Sequence, residues 1–389
     1  MKILHAVEFY SPSIGGMQEV VRQLSERIAM LGHEVTVVTS KIADRKIQRL
    51  HNVQIKEFAV VGNQAKGMMG EYGFYQKFLL DEKFDVITFF AAQQWTFDAA
   101  IPVINKITAK KVFVPTGFSG MYDEMYNDYY MQMPELLRAF DSVIFLSEDY
   151  RDINFARKHS VKNILVIPNG AAADEFENKR RKIIRDSLHI LPTDFLILHI
   201  GSYTGIKGHK EAIDIFLKSK LQNATLLMVG NNLSYFREKL WRIIGTKNYL
   251  RHIFSRKKNL IMADLKRRDT VSALHSADIF LFPSLIECSP LVLFEACAAG
   301  TPFLTSDCGN AKEIIEWTKG GLLLPTNIGE DGYSRVDIKA SAKMLDDVAD
   351  NTQLLVELGK NGYDSWKKRF TWEQISSEYL SLYQKIVSH

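Results

Sequence analysis

The chain has 389 residues, of which 46% are hydrophobic and 24% are charged. This length exceeds what one hydrophobic core comfortably fills, so we expect two domains. The 49 basic and 45 acidic residues nearly balance. Because the net charge is so small, it gives no reason to expect a strongly acidic substrate, and we expect no nucleic-acid partner.

Cysteine usage and hydropathy indicate the compartment. Cys288, Cys297 and Cys308 lack the spacing and the histidine partners of a metal site, so we expect reduced thiols and no metal. No run of about 18 apolar residues occurs in the chain. The sequence therefore predicts a cytoplasmic protein that is neither secreted nor membrane-spanning.

Short β-branched or aromatic runs in the first half of the chain are typical of buried parallel strands. They lie at 2–7, 34–39, 85–89, 111–114, 142–146 and 164–167. An amphipathic helical stripe, closed by a glycine, separates the first two runs. Its members are Val20, Val21, Leu24, Ile28, Leu31 and the terminal Gly32. Strand, helix and strand in this order predict a βαβ unit.

A second series of such runs lies at 195–200, 225–229, 259–262, 279–282 and 302–305. The polar stretch 171–194 separates the two series and is the expected connection between domains. The simplest architecture is α/β, with two Rossmann-like, doubly wound domains facing each other across a cleft. We place these domains at 1–170 and 171–370, followed by a terminal helix at 371–389. Ligands in such folds bind at the carboxyl ends of the strands.

The most informative segment is 283–302. Ser289 suits an N-cap, Pro290 suits the first helical position and Gly300 suits the end of a helix, so we predict a helix over 290–299. This helix begins directly after a predicted strand. The free N–H groups at its start are therefore a candidate site for a diphosphate.

Two carboxylates accompany this helix. Glu287 precedes it, and Glu295 lies about one and a half turns inside it. A buried carboxylate needs partners, and the paired hydroxyls of a ribose or a pyranose are suitable ones. The alternative interpretation makes Glu295 a solvated helix residue and Glu287 a loop charge.

Glu287, seven intervening residues and Glu295, with Pro-Ser before them and Ala-Gly-Thr-Pro after them, resemble the signature of retaining glycosyltransferase family 4, whose fold is GT-B. The resemblance implies that Glu295 binds the donor ribose. It places Glu287 beside the transferred sugar, where contact with a hydroxyl and a nucleophile role have both been proposed. The backbone N–H groups of Cys288, Ser289 and Leu291 would face the sugar and the phosphates.

Other stretches resemble the same family. Lys207 matches the lysine that grips the donor diphosphate, whereas Ser202 stands where an arginine is usual. Gly15 and Gly16 match the glycine loop that opens the first helix and approaches the leaving phosphate. Near Thr116 the family often carries a histidine, and this chain has none there. The alternatives are a polar loop residue at Lys207 and a plain turn at the two glycines.

The resemblance implies a retaining glycosyltransferase that moves a hexose-type sugar from a nucleotide diphosphate sugar to a saccharide or lipid-linked acceptor, in bacterial surface polysaccharide or glycoconjugate synthesis. Glu287 and Lys207 would be catalytic, and no cofactor or metal is expected. The first domain would bind the acceptor and the second the donor, and the helix 371–389 would cross back to the first domain.

Three alternatives remain open: a nucleotide-sugar epimerase, a phosphorylase and a catalytically silent sugar-nucleotide binder of the same fold. A nicotinamide dehydrogenase is disfavoured, because no Gly-x-Gly-x-x-Gly follows the first strand.

Two segments suggest contact surfaces. Basic and aromatic side chains are interleaved over 237–268, which favours either contact with the cytoplasmic face of the inner membrane, as a peripheral protein, or a solvated helix pair. Methionines and tyrosines are dense over 121–137, which favours either an adaptable acceptor surface or ordinary core packing.

Overall fold

The computed structural model describes residues 1–177, 182–231 and 257–388. The chain divides into two compact units. The first comprises Met1–Asn169 together with Trp372–His389, and the second comprises Gly170–Thr371. These limits lie within one or two residues of the domain boundaries expected at 170 and 370.

Strands form the centre of both units. In chain order they are β1 (Lys2–Ala6), β2 (Glu34–Ser40), β3 (Arg49–Leu50), β4 (Val53–Phe58), β5 (Val60–Asn63), β6 (Gly67–Gly70), β7 (Val86–Phe90), β8 (Lys110–Val114), β9 (Ser142–Phe145), β10 (Ile164–Val166), β11 (Phe195–Ile200), β12 (Ala224–Val229), β13 (Lys258–Ala263), β14 (Ile279–Phe282), β15 (Phe303–Thr305), β16 (Gly321–Leu323), β17 (Thr326–Ile328) and β18 (Ser334–Val336).

Helices alternate with the strands. In chain order they are α1 (Gly16–Met30), α2 (Tyr72–Asp81), α3 (Trp95–Asp98), α4 (Asn127–Arg138), α5 (Arg151–Lys158), α6 (Ala173–Phe176), α7 (Lys182–Ser187), α8 (His209–Lys218), α9 (Arg267–Ser276), α10 (Leu291–Ala299), α11 (Ala311–Thr318), α12 (Ile338–Ala349), α13 (Thr352–Arg369) and α14 (Trp372–Val387). Short 3₁₀ helices span Ile101–Lys106 and Glu124–Tyr126.

Each unit is built on one mainly parallel sheet. The strand order is β10-β9-β8-β7-β1-β2-β4-β3 in the first unit and β13-β12-β11-β14-β15-β16 in the second. Strands β7 and β12 are buried along their whole length, as expected when helices cover both faces of a sheet. The order reverses between β1 and β7 in one sheet and between β11 and β14 in the other. Such reversals are where α/β sheets bind ligands, at the carboxyl ends of the strands.

All eleven strands predicted from the sequence are present, with limits that agree within one residue. The sequence patterns did not reveal β4, because its residues alternate between buried and exposed positions and form no continuous apolar run. The remaining unpredicted strands, β3, β5, β6, β16, β17 and β18, have two to four residues each.

Two expectations were wrong. Leu31 is 59% exposed, because the helical stripe of α1 ends before it. The stretch 171–194 is not a connection between domains but part of the second unit. Phe176, Ile184 and Ile190 from this stretch are buried in the core of that unit.

A buried polar network fixes α14 within the first unit. His5 Nδ1 lies 2.7 Å from Ser25 Oγ on α1, and His5 Nε2 lies 3.2 Å from the Tyr383 hydroxyl on α14. Thr88 Oγ1 on β7 lies 2.7 Å from the same hydroxyl. All four side chains are buried. One network therefore joins two strands and two helices.

This network predicts an acid-sensitive first unit. Burial lowers the pKa of His5 to about 3 from an ordinary 6.5. Between pH 6.5 and pH 3 the imidazole is therefore protonated in the unfolded chain and neutral in the folded chain. The free energy of unfolding should therefore fall as pH falls from 6.5 towards 3, by up to about 1.4 kcal/mol per pH unit for this group.

His5→Gln should be less stable than the natural protein at pH 7.5. The difference in free energy of unfolding between the natural protein and His5→Gln should decrease by about 1 kcal/mol between pH 6 and pH 5, measured by urea unfolding. His51→Gln is the control, because the His51 side chain is 66% exposed. A His5→Gln deficit that stays constant with pH would contradict the prediction.

Candidate active site

The carboxyl ends of β11 and β14 lie side by side, because Ile197 and Leu198 pair with Ile279 and Phe280. The loop 201–208 leaves β11, and the loop 283–290 leaves β14. Leu285 N donates to Ile206 O at 2.9 Å, which joins the two loops. The predicted site residues Ser202, Lys207, Glu287, Cys288 and Ser289 all lie on these two loops.

An ion pair connects the two loops at the predicted catalytic residues. Lys207 Nζ lies 2.8 Å from Glu287 Oε1, with side-chain exposures of 28% and 12%. Ser284 Oγ donates to the same carboxylate oxygen at 2.9 Å. The structure therefore brings Lys207 and Glu287 together, at the point where the strand order of the second sheet reverses.

Two further backbone hydrogen bonds hold the loop that carries Glu287. Asn310 N donates to Cys288 O at 2.9 Å, and Ser334 N donates to Leu285 O at 2.8 Å. A Cβ at Gly309 would lie 2.3 Å from Cys288 O, so the backbone passes too closely there for a side chain. These contacts give the Glu287 carboxylate a defined position.

Helix α10 begins one residue later than predicted. Leu291 is its first residue, and Pro290, with extended ψ of 114°, is the N-cap. The expectation that Ser289 is the N-cap was therefore wrong, and Pro290 makes no side-chain capping hydrogen bond. The first N–H groups of any α-helix have no intrahelical acceptor. The start of α10, at Leu291, thus offers backbone donors and a partial positive charge beside Glu287.

Glu295 is not a solvated helix residue, because its side chain is only 7% exposed. Its Oε1 lies 2.7 Å from Nη2 of Arg267, the first residue of α9. Arg267 also donates from Nε to Glu175 Oε2 at 2.9 Å. Burial disfavours the charge of Arg267, but the two carboxylates outweigh this effect and raise the pKa of the guanidinium.

Sequence reasoning missed the pairing of Arg267 with Glu295. It placed Arg267 within the basic segment 237–268 as one surface charge among many. The signal available was that a glutamate predicted to be buried in α10 needs a cation. Nothing in the spacing of Arg267 and Glu295, which are 28 positions apart, indicated which cation it would be.

Two buried histidines lie behind the Lys207 loop. Their rings are 4.6 Å apart between centroids, and His209 Nε2 lies 3.1 Å from Gly201 O. Burial lowers the pKa of His199 to about 4 and that of His209 to about 2. Both imidazoles are therefore neutral near pH 7, and they add no positive charge where Ser202 replaces an arginine.

The first unit holds the remaining predicted site residues. Gly16 begins α1 and Gly15 is its N-cap, with Glu19 N donating to Gly15 O at 3.0 Å. A Cβ at Gly16 would meet nothing within 4 Å. The space beside Gly16 is therefore open, and the binding role of the two glycines stays a prediction.

The segment that lacks the family histidine has a strained backbone. Thr116, Gly117 and Phe118 have φ values of 61°, 96° and 48°, in the left-handed region. Gly117 N donates to Asp152 Oδ2 at 2.7 Å. Burial raises the pKa of Asp152 to about 6. Strain of this kind persists only where surrounding contacts enforce it, and it is common at binding sites.

A second strained position lies just after the neighbouring strand β7. Gln93, which follows β7, has a φ of 64°. Its backbone N–H donates to the Tyr129 hydroxyl, which in turn donates to Asp98 Oδ1 at 2.9 Å. Burial raises the pKa of Asp98 to about 6, and burial followed by the Asp98 charge raises the pKa of Glu8. The carboxyl edge of the first sheet is therefore a polar and partly acidic surface.

The two segments proposed as contact surfaces have mixed outcomes. In 121–137, Tyr129, Tyr130, Met133 and Leu137 are buried in the core, whereas Tyr122, Met125 and Met131 are exposed. In 237–268, residues 237–256 lie outside the described residues. Lys258 is buried among the backbone carbonyls that end α8, and is not part of a basic surface.

The contacts of the Lys207 loop predict that two of its glycines differ in how well they tolerate substitution by alanine. Gly205 and Gly208 both have positive φ, of 89° and 76°. A Cβ at Gly205 would meet open space, whereas one at Gly208 would lie 2.0 Å from Pro283 O. Gly205→Ala should cost about 1 kcal/mol of unfolding free energy from backbone strain alone.

Gly208→Ala should cost roughly 2 to 4 kcal/mol, because overpacking against the backbone adds to the same strain. Urea unfolding of the two variants measures the difference. Equal losses would show that the close approach to Pro283 is not what requires glycine at 208.

Comparison with known proteins gives the family. The description "Glycosyl transferases group 1" matches residues 180–365, and the description "Glycosyltransferase Family 4" matches residues 14–175. Lipopolysaccharide glucosyltransferase WaaG of Escherichia coli is 24% identical over 79% of this chain and 82% of its own. In the described residues, no helix has the length and apolar character needed to cross a bilayer.

Two solved structures share the fold over nearly the whole chain. Sucrose-phosphate synthase of Thermosynechococcus elongatus has a TM-score of 0.80 at 18% identity, covering 100% of this chain and 99% of its own. HepE of Anabaena, solved in complex with UDP-glucose, has a TM-score of 0.75 at 16% identity, covering 99% of this chain and 100% of its own. These two similarities show the GT-B fold, and the two matched segments, 14–175 and 180–365, show that the chain belongs to glycosyltransferase family 4.

Proposed function

We propose that this protein is a retaining glycosyltransferase that transfers a hexose-type sugar from a nucleotide diphosphate sugar to a saccharide or lipid-linked acceptor. We place the reaction in bacterial surface polysaccharide or glycoconjugate synthesis, at the cytoplasmic face of the membrane. The WaaG relative is named as a lipopolysaccharide glucosyltransferase, and HepE was solved with UDP-glucose, which supports a donor and a product of these kinds.

The observation that carries the proposal is the Lys207–Glu287 ion pair beside the start of α10. Lys207 offers a positive charge, and the first N–H groups of α10 offer hydrogen bonds, both suited to a diphosphate. The Glu287 carboxylate holds the lysine in place. When the donor binds, Lys207 can turn to the diphosphate while Glu287 accepts hydrogen bonds from the sugar.

The same arrangement suits the chemistry of transfer. The bond between the anomeric carbon and the diphosphate oxygen breaks, and the acceptor oxygen bonds to the same face of that carbon. Negative charge develops on the diphosphate, where Lys207 and the start of α10 stabilise it. Positive charge develops on the sugar, where Glu287 stabilises it. The proton of the acceptor hydroxyl passes to the departing diphosphate oxygen, so the step balances without a further reactant. We propose that neither a cofactor nor a divalent metal takes part.

We assign acceptor binding to the carboxyl edge of the first sheet. Glu8 and Gln93, which are half-buried, place a carboxylate and an amide there, and the hydroxyls of an acceptor sugar are suitable partners for them. The exposed Tyr122, Met125 and Met131 belong to the same unit and suit an apolar part of an acceptor.

Two steps test the proposed function. Thermal stabilisation by a panel of nucleoside diphosphates and their sugars identifies the donor, because a ligand that binds the folded state raises its stability. Turnover with that donor then distinguishes transfer from epimerisation. Transfer releases the nucleoside diphosphate and forms a glycosylated acceptor, whereas epimerisation leaves the sugar on the nucleotide. Binding without turnover on any acceptor would favour a catalytically silent binder.

We expect the product to keep the anomeric configuration of the donor. The measurement is the proton NMR coupling of the anomeric position in the newly formed linkage. An inverted product would overturn the retaining assignment and leave the transferase assignment intact. Repeating the assay in excess chelator should give the same rate, and a collapse restored by magnesium or manganese would overturn the metal-free assignment.

The two glutamates should fail differently when they are changed. Glu295→Ala removes a contact to the ribose that persists in the transition state, so the KM for the donor should rise, by an amount equivalent to about 2 to 3 kcal/mol. Glu287→Gln removes negative charge beside the reacting carbon, so kcat should fall by about 10² or more at similar donor affinity.

Steady-state kinetics together with calorimetric binding of the nucleoside diphosphate measures both effects. Normal turnover by Glu287→Gln would show that its charge is not used in the reaction. If Glu295→Ala lost the chemical step and still bound nucleotide normally, the two roles would have to be exchanged.

A further inference from the structure

We propose that Arg267 is a positioning residue for the donor ribose: it holds the Glu295 carboxylate in the orientation that accepts the two ribose hydroxyls. This proposal rests on the proposed function, because it deepens the description of the same donor site. It adds a residue of α9, outside the motif that contains both glutamates, to the determinants of nucleotide binding.

The contacts of Arg267 form a chain between three helices of the second unit. Its Nη2 lies 2.7 Å from Glu295 Oε1 on α10, and its Nε lies 2.9 Å from Glu175 Oε2 on α6. The guanidinium carbon lies 5.7 Å from the centre of the Phe176 ring, which is fully buried. Arg267 is therefore fixed by Glu175 and Phe176 on one side and contacts Glu295 on the other.

The side chains of Glu295, Glu175 and Arg267 are buried to different degrees, and this difference favours a positioning role for Arg267. The side chain of Glu295 is 7% exposed, that of Glu175 is 21% exposed and that of Arg267 is 42% exposed. A carboxylate as buried as Glu295 is costly without a cation or hydrogen bonds. Arg267 supplies that cation, and its contact with Oε1 fixes the orientation of the carboxylate.

The geometry leaves capacity for a ligand on Glu295. A carboxylate has about four lone-pair sites on two oxygens, and the ion pair with Arg267 is made through Oε1. The remaining lone pairs are enough for the 2′ and 3′ hydroxyls of one ribose. Because the carboxylate is already oriented, the ribose bonds form without the cost of ordering a free side chain.

The charge of Arg267 also acts on the donor as a whole. Glu295 and Glu175 are both carboxylates, and the diphosphate of a donor is also negatively charged. Without Arg267 these carboxylates would repel every nucleoside diphosphate, with or without ribose hydroxyls. Replacing Arg267 should therefore weaken nucleotide binding in two ways. The positioning role accounts only for the loss of affinity that depends on the ribose hydroxyls.

The experiment compares the binding of UDP and 2′,3′-dideoxy-UDP by calorimetry, using the full chain. If another base stabilises the natural protein more strongly than uracil, the same pair is used with that base. The natural protein should bind the ribose form about tenfold or more tightly, since two hydrogen bonds to a charged group are at stake. Glu295→Ala should abolish this preference.

Arg267→Met should reduce the preference to about threefold or less, and Arg267→Lys should retain part of it. Glu175→Gln, which loosens the hold on Arg267 without removing it, should have an intermediate preference. Arg335→Met is the matched control, because Arg335 pairs with Asp331 on the exterior of the same unit, with a side chain 51% exposed. It should keep the full preference. If Arg267→Met fails to fold, Arg267→Lys and Glu175→Gln still decide the question.

The outcomes separate this inference from the function on which it rests. A folded Arg267→Met that keeps the full ribose preference would overturn the positioning role and leave the glycosyltransferase assignment intact. A natural protein that binds UDP without any ribose preference would overturn the roles of both Glu295 and Arg267. A natural protein that binds no nucleoside diphosphate of any base would overturn the proposed function itself.

Discussion

A carboxylate removed from water has to be paired, and this requirement organises the carboxyl edge of the second sheet. Glu287 is paired with Lys207 from the neighbouring loop, and Glu295 is paired with Arg267 from the neighbouring helix. In both cases the cation comes from a different element than the glutamate. The two ion pairs therefore fix the elements that surround the start of α10 as well as the glutamates themselves.

The parallel sheet supplies the frame for these pairs. Because β11 and β14 are neighbours although 78 residues lie between the two strands, the loops that follow them meet at one edge. Gly208 and Gly309 let backbone approach backbone where a side chain would collide, so the loops lie closer than other residues would permit. Charge pairing then acts over distances that the backbone has already set.

Most of the frame could be predicted from the sequence, because buried parallel strands have continuous apolar runs. β4 could not, since it alternates like the strand of a half-exposed sheet. The roles of Glu287 and Glu295 could be predicted from a motif, and their location at the carboxyl edge of the second sheet could be predicted from the strand that precedes them. The partner of Glu295 could not be predicted, because α9 and α10 contact each other through packing that no local pattern encodes. The N-cap of α10 was misplaced by one residue, since Ser289 and Pro290 both suit the start of a helix.

The terminal helix has a consequence for the order in which the protein is made. The sheet of the first unit is complete once residues up to 166 have been synthesised, but the Tyr383 hydroxyl that His5 and Thr88 require belongs to α14. More than 200 residues of the second unit must leave the ribosome before α14 does. During that interval Nε2 of His5 and the hydroxyl of Thr88 lack their contact with Tyr383, and His5 can contact only Ser25 on α1. The first unit therefore acquires its complete set of contacts only after the whole of the second unit has been synthesised.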